Sequence, residues 1–310
     1  MINTLTLNPA MDHNLRLVNV EKGITNRAYD TFDTVGGKGT HVSMNLSQMG
    51  LENRAFGICR GKTGQAIISA LKELGVTTCF VERENLESRT NYILIEDNNT
   101  CTTIAEKGPE LTEGDISDLY ALLLEKIQPG DTLVLSGDAS NCRNPRIYNE
   151  IAQILKFKGV RIILDASGES LRNGLESAPY LIKPNEDELE MLCGFSMKTD
   201  EDVIRGINSL EAYGIEVIAV SLGKRGSVVK IGKDCYRVYA PIVKACNTAG
   251  CGDCFLSGLL YGMEKGLSHE DTLRFATATS AATAVSSLSV GYDDEVAQSL
   301  MDQVKIERIV

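Results

Sequence analysis

From residue 110 onward the chain repeats one pattern: a short apolar run, a polar or glycine-rich cluster, then in most cases a helical segment. Leu133-Val134-Leu135 runs into Ser136-Gly137-Asp138, and Ile162-Ile163-Leu164 into Asp165-Ala166-Ser167-Gly168. Leu181-Ile182 runs into Lys183-Pro184-Asn185, and Val217-Ile218-Ala219-Val220 into Ser221-Leu222-Gly223. Residues at helical spacing, such as Ile147, Ile151, Ile154 and Leu155, separate the runs. Strands joined by helical crossovers pair in parallel, so the pattern predicts a mostly parallel α/β sheet flanked by helices. Ligands of such sheets sit beyond the carboxyl ends of the strands, where the polar clusters gather. At 310 residues the chain suits one large domain, or a large one with a small accessory piece.

The most informative cluster is Cys246-Asn247-Thr248-Ala249-Gly250-Cys251-Gly252-Asp253. Phe255, Leu256, Leu259, Leu260 and Met263 follow it at helical spacing, which puts Asp253 at the start of a buried helix. The glycines permit a tight bend, and first-turn amides are unpaired donors that hold anions. A carboxylate beside an anion hole points to general-base chemistry on a phosphorylated ligand.

The amino-terminal third is less regular. Ile2 to Leu7 alternates as a strand and stops at Asn8-Pro9, with Asp12 beyond it as a turn former or a functional carboxylate. Residues 14 to 35 have strand-like alternation (Leu15, Leu17, Val18; Ala28, Tyr29, Phe32, Val35), as do Arg89 to Ile95 and Thr102 to Ala105 around a turn at Glu96 to Thr100. These segments, roughly 12–35 and 88–106, are expected to form a small β lid on a single domain spanning 1–310. Between them, Gly36-Gly37-Lys38-Gly39-Thr40-His41 opens a helix through Val42, Met44, Leu46 and Met49. It reads as a close-approach ligand turn or as a bare glycine turn, and His41 as a structural histidine or a ligand. Gly57 to Thr63 lacks the spacing of a phosphate loop, because Phe56 stands where the first glycine belongs. Thr63 to Leu74 instead reads as an amphipathic helix with Ala66, Ile67, Ala70, Leu71 and Leu74 on one face and Lys62 solvated.

Asn185 and Glu188, one helical turn apart, are oxygen ligands suited to hydrated magnesium, although acids at a helix start need no metal. Gly223 to Gly226 is a tight turn under a nucleotide or a plain strand connection. A net charge of -11 argues against nucleic-acid and anionic-membrane partners. No apolar run approaches the ~18 residues of a membrane span, and there is no signal-like start. With nine cysteines in an odd count, the expectation is a cytoplasmic protein with reduced thiols.

Taken in order, Asn8-Pro9-Ala10-Met11-Asp12, Gly36-Gly37-Lys38-Gly39, Gly108-Pro109-Glu110, Lys183-Pro184-Asn185 with Glu188, Ser221-Leu222-Gly223 with Gly226, and Asn247 to Asp253 resemble the ribokinase-like carbohydrate kinases of the phosphofructokinase B family. The resemblance runs nearly end to end and is closest to the branch of 1-phosphofructokinase and tagatose-6-phosphate kinase. It implies a Rossmann-like α/β body with a β-sheet lid, homodimers formed through that lid, and ATP-dependent phosphorylation of a ketohexose phosphate. Asp253 matches the catalytic base and Gly250, Cys251 and Gly252 the anion hole. Asp12, Gly37 and Lys38 match sugar contacts, and Arg89 a contact to the existing phosphate. Lys183, Asn185 and Glu188 match residues around the triphosphate and its Mg2+, with Asn185 and Glu188 acting on the metal through water. Ser221, Gly223 and Gly226 match the nucleotide loop, and a monovalent cation is left open.

Several positions depart from that pattern. His41 replaces an asparagine and Met44 an arginine, while Cys251 replaces a small residue. Asp138 stands where a serine helps hold the substrate phosphate, and Arg89 or a protonated His41 is expected to offset its charge. An unphosphorylated sugar or polyol is therefore the alternative acceptor. Two other readings compete: a silent sugar-binding regulator, and a thiol or metal protein built on Cys251-Gly252-Asp253-Cys254, where a helix start would stabilise a thiolate.

Overall fold

Ile2-Asn3-Thr4-Leu5-Thr6 is buried at every position, as a strand within a sheet covered on both faces must be. In the computed structural model, which describes residues 1–98 and 100–309, this segment is β1 (Ile2–Thr6) of a ten-stranded sheet. The chain continues through β2 (Ala10–Leu17), β3 (Asp30–Gly36), α1 (Lys38–Gln48), β4 (Asn53–Arg60), α2 (Gly61–Glu73), β5 (Thr77–Arg83), β6 (Arg89–Glu96), β7 (Cys101–Ala105) and α3 (Glu113–Lys126). Next come β8 (Thr132–Ser136), α4 (Ile147–Phe157), β9 (Arg161–Asp165), α5 (Gly168–Gly174), β10 (Leu181–Ile182), α6 (Glu186–Cys193), α7 (Asp200–Ser209) and β11 (Val217–Ser221). The carboxyl-terminal part holds β12 (Ser227–Ile231), β13 (Asp234–Tyr239), α8 (Cys251–Lys265), α9 (His269–Val285), α10 (Asp294–Met301) and β14 (Lys305–Arg308).

The large sheet runs β14-β13-β12-β11-β10-β9-β8-β1-β4-β5. Every pairing from β11 to β5 is parallel, and β12 to β14 extend the sheet antiparallel. Alternate side chains serve two cores: Leu133, Leu135, Ile162 and Leu164 face α3 and α4, while Val134 and Ile163 face α1, α8 and α9. The expected mostly parallel α/β body is thus present. So is a separate small sheet in the order β3-β2-β6-β7, built from two distant segments.

Three details differ from the sequence reading. The small sheet begins at Ala10, so Val18, Ala28 and Tyr29 fall outside its strands, and Val18 and Tyr29 are exposed. On α2 the buried face is Gly64, Ile67, Ile68 and Leu71, whereas Ala66 and Leu74 are exposed. Gly64 explains the rotation: a Cβ there would lie 2.8 Å from the Cys59 backbone, so this side of the helix is pressed on β4. The turn expected at Glu96 to Thr100 passes through Asn99, which lies outside the described residues.

Helices α8 and α9 pack closely enough to require glycine. A Cβ on Gly258 would lie 2.5 Å from Ala276 Cα, and one on Gly262 would lie 2.3 Å from Thr272 Oγ1. Because the Ala276 contact is backbone, it cannot move aside cheaply. Gly258→Ala should therefore cost on the order of 1–3 kcal/mol. Gly114→Ala on α3, which meets only Thr112 Oγ1 at 3.8 Å, should be neutral or stabilising by up to about 1 kcal/mol. Urea unfolding midpoints at constant m-value measure both.

Candidate active site

The amino terminus of α8 is fixed by what has no room for a side chain. Gly250 lies at φ 76°, and a Cβ on it would come within 1.7 Å of Ser289 O. Asn247 pins the preceding turn: Ala249 N donates to its Oδ1 at 2.9 Å, and its Nδ2 donates to Ser289 Oγ at 3.2 Å. No side chain caps the helix, so its first amides are left for a ligand. Asp253, buried in the first turn, aims into a cavity of about 530 Å³.

That cavity gathers Asp12, Gly37, Lys38, His41, Arg89, Asp138, Lys183, Asn185, Glu188, Ser221, Gly250 and Gly252 around Asp253. A second cavity of about 780 Å³ adjoins it and is lined by Gly223, Gly226 and Cys251 together with Lys224, Ile242 and Ala281. Asn185, Ser221 and Gly252 belong to both walls. The structure thus brings the catalytic, sugar, nucleotide and magnesium candidates to one of two contiguous cavities at the carboxyl ends of the parallel strands, whereas Met44 and Cys254 line neither.

Asp165 at the end of β9 was missed. Its side chain is fully buried and lies 3.2 Å from Lys183 Nζ and 3.8 Å from Lys38 Nζ, so one carboxylate gathers two ammonium groups. Asp165 above all, with Asp253 and Glu188 adding attraction, holds the Lys38 ammonium above its usual range despite burial. The sequence signal was its place at the end of a strand, the same signal that marked Lys183. Thr6 and Asn91, which line the cavity, were also missed; their side-chain oxygens Thr6 Oγ1 and Asn91 Oδ1 are buried and have no hydrogen-bond partner among the described residues.

On the far wall, Asn91 Nδ2 donates to Asp12 Oδ1 at 2.7 Å. Burial raises the Asp12 carboxyl above its ordinary value, against the pull of His41, Asn91 and Arg89. A side chain at Gly36 would overlap the Asp12 carboxylate at 2.1 Å. Arg89 Nε donates to Asn8 O at 3.0 Å, and its guanidinium is drawn by Asp138 and Asp12. Asp138 is exposed and turned back on its own loop, accepting from Ser140 N at 2.9 Å and Ser140 Oγ at 2.7 Å.

Two expectations require correction. His41 does not offset Asp138: its Nδ1 lies 2.9 Å from Asp253 Oδ2 and its Nε2 is 3.1 Å from Val35 O, so both ring nitrogens are engaged elsewhere. Nor does the helix start stabilise a thiolate in the C-x-x-C pair. Burial, reinforced by the Asp253 charge, pushes Cys251 up to about 11, and burial pushes Cys254 up to about 12. Among the described residues no group of three or more His, Cys, Asp or Glu converges as a metal site.

Asn185 and Glu188 form a capping box on α6. Glu188 N donates to Asn185 Oδ1 at 2.8 Å, and Asn185 N donates to Glu188 Oε2 at 2.9 Å. The helix-terminus reading is therefore realised, and it engages the only side-chain oxygen of Asn185 and one of the two of Glu188. Oxygen donors in the same cavity as Lys183 and Lys38 still fit a magnesium ion that keeps most of its waters. A Cβ on Gly252 would sit 3.2 Å from Lys183 Nζ, crowding that ammonium.

The family model for pfkB family carbohydrate kinases matches residues 6–295. The chain is 31% identical over 310 residues to a 1-phosphofructokinase of Borreliella burgdorferi, covering 100% of this chain and 99% of that one. It is 34% identical over 281 residues to a tagatose-6-phosphate kinase of Staphylococcus epidermidis, covering 90% of each. The crystal structure of phosphofructokinase-2 from Escherichia coli with substrates and products superimposes with a TM-score of 0.91 at 24% identity, covering 97% of this chain and 98% of that one, a likeness of fold. With the resemblance carried by its motifs matched over nearly its whole length, the chain belongs to the pfkB family of carbohydrate kinases.

Proposed function

We propose that this chain, as one kinase domain with the small sheet as its lid, transfers the γ-phosphoryl group of ATP to a hydroxyl of a ketohexose phosphate of the fructose 1-phosphate or tagatose 6-phosphate type. The observation that carries this reading is a buried carboxylate on an uncapped helix terminus, facing two lysines across a cavity with unsatisfied polar groups. The names of relatives at 31% and 34% identity support the acceptor class.

In this reading Asp12, Gly37, Asn91 and Thr6 line the part of the cavity that holds the sugar hydroxyls. Asp253 takes the proton of the attacking hydroxyl as its oxygen bonds to the γ-phosphorus and the bond to the ADP oxygen breaks. The amides of residues 250 to 253 receive the equatorial oxygens, and Lys38 and Lys183 neutralise developing charge. Magnesium, bound with the triphosphate and oriented by Asn185 and Glu188 through water, would add to that neutralisation. Ser221, Gly223 and Gly226 line the nucleotide side, where a Cβ at Gly226 would strike Val238 O at 2.1 Å. Cys251 contributes a neutral thiol to the turn. The same reading includes a cytoplasmic location, in keeping with nine free thiols, and a homodimer through the small sheet, whose Tyr92 and Ile104 are exposed.

Asp138 favours a second reading, an unphosphorylated sugar or polyol, because its charge beside Arg89 opposes a phosphate there. Its engagement by Ser140 weakens that opposition without removing it.

Asp253→Asn should lower kcat by on the order of 10²–10⁴ and leave nucleotide affinity near normal. Near-normal turnover would remove Asp253 from the mechanism. A coupled ADP-release assay across fructose 1-phosphate, fructose 6-phosphate, tagatose 6-phosphate, free sugars and polyols tests the acceptor class. Turnover with free sugars alone would overturn the sugar-phosphate reading. Asp138→Ser should lower KM for phosphorylated acceptors about 3- to 10-fold, an exposed charge being partly screened, with KM for ATP unchanged.

A further inference from the structure

The His41–Asp253 contact has a proton-counting consequence. Val35 O can only accept, so at 3.1 Å His41 Nε2 must carry a hydrogen. A neutral imidazole with its hydrogen on Nε2 presents a bare lone pair at Nδ1, yet Nδ1 lies 2.9 Å from a carboxylate oxygen of Asp253. Two acceptors do not approach that closely without a proton between them. Both groups are buried, at 8% and 6% exposure, so water does not resolve the conflict.

We propose that His41 is a positioning residue held as an imidazolium in the resting enzyme, forming with Asp253 a proton-sharing pair that aims the base at its substrate. This rests on the reading of Asp253 as the base. Asp253 Oδ2 is fixed by His41, and Oδ1 has no hydrogen-bond partner among the described residues, so Oδ1 is the oxygen presented to the sugar. When Oδ1 takes the hydroxyl proton, the pair goes from one proton to two. The extra proton leaves to water as phosphorylated sugar and ADP depart.

The surroundings favour the charged ring. Asp253 faces it from α8 and Asp12 from β2, while β3 contributes only the Val35 carbonyl. Arg89 on β6 acts on Asp12, and Lys38 on the same helix as His41 is drawn mainly to Asp165. The neighbouring thiols of Cys251 and Cys254 are neutral. Burial pulls the imidazole down, but the hydrogen bond and charge of Asp253, with Asp12, carry it above its ordinary value. The sign follows: protonated His41 stabilises the fold below the imidazole's unfolded value, and this contribution is lost as pH rises through the raised folded value. Above that pH the bare Nδ1 repels Oδ2, Asp253 loses its aim, and kcat/KM falls.

The three histidines of the chain make the test direct. In protein labelled with 15N-histidine, the resonances lost in His41→Asn identify His41. Both of its ring nitrogens should read as protonated at neutral pH, and its titration midpoint should fall by about one unit or more in Asp253→Asn. The wild-type kcat/KM profile should show an alkaline limb at the His41 midpoint. His41→Asn, whose amide can donate to Asp253 without titrating, should lose that limb and roughly 10-fold of the plateau value. A midpoint unmoved by Asp253→Asn, an unprotonated Nδ1 at neutral pH, or an unchanged alkaline limb in His41→Asn would overturn the pair. Absence of ADP formation with any acceptor would instead sink the kinase reading, and the resonance measurements would still judge the pair.

Discussion

The phosphoryl-transfer end of the site depends on the absence of a side chain at residue 250. A single Cβ there would collide with Ser289 O at 1.7 Å, so the turn before α8 closes only around glycine. That closure points the free amides of α8 at the cavity and sets Asp253 in the first turn, within reach of His41 on α1. Gly258 and Gly262 carry the same constraint along the helix, because they let α8 lie against the Ala276 backbone and the Thr272 side chain of α9. The proposed anion hole, base and partner of the base are therefore consequences of how closely one helix can be approached, more than of any strong attraction.

Charge completes the arrangement. The cavity holds Asp12, Asp253 and Glu188 beside Lys38, Lys183, Arg89 and His41, with Asp165 buried behind the two lysines, in a chain whose net charge is -11. Two ammonium groups are held together at the cavity because both lysines are gathered by one fully buried carboxylate. Local pairing, and not overall charge, sets what the site accepts.

Legibility in the sequence followed the physics. Buried parallel strands leave runs such as Ile162-Ile163-Leu164 that can be read directly, and the glycine turns declared themselves by composition. The pairing of two distant segments into one small sheet was also readable, from period-two alternation in each. What was not readable required distances. Asp165 follows an apolar run like several other polar residues, and only its approach to two lysines distinguishes it. His41 was flagged as a departure, but its partner lies 212 positions away, and no spacing rule reaches that far. The face of α2 was misjudged at Ala66 and Leu74 because the close approach of Gly64 to Cys59 sets the helix rotation, and helical periodicity contains no such information.

Asn185, Ser221 and Gly252 face both cavities and so form a common wall. In the proposed reading, a change in that wall would alter nucleotide and sugar recognition together, whereas the residues of the small sheet line only the first cavity, the one assigned to the sugar. Acceptor preference is thus free to drift through β2 and β6 while the nucleotide half stays fixed. An enzyme built this way can change its diet without relearning how to handle its fuel.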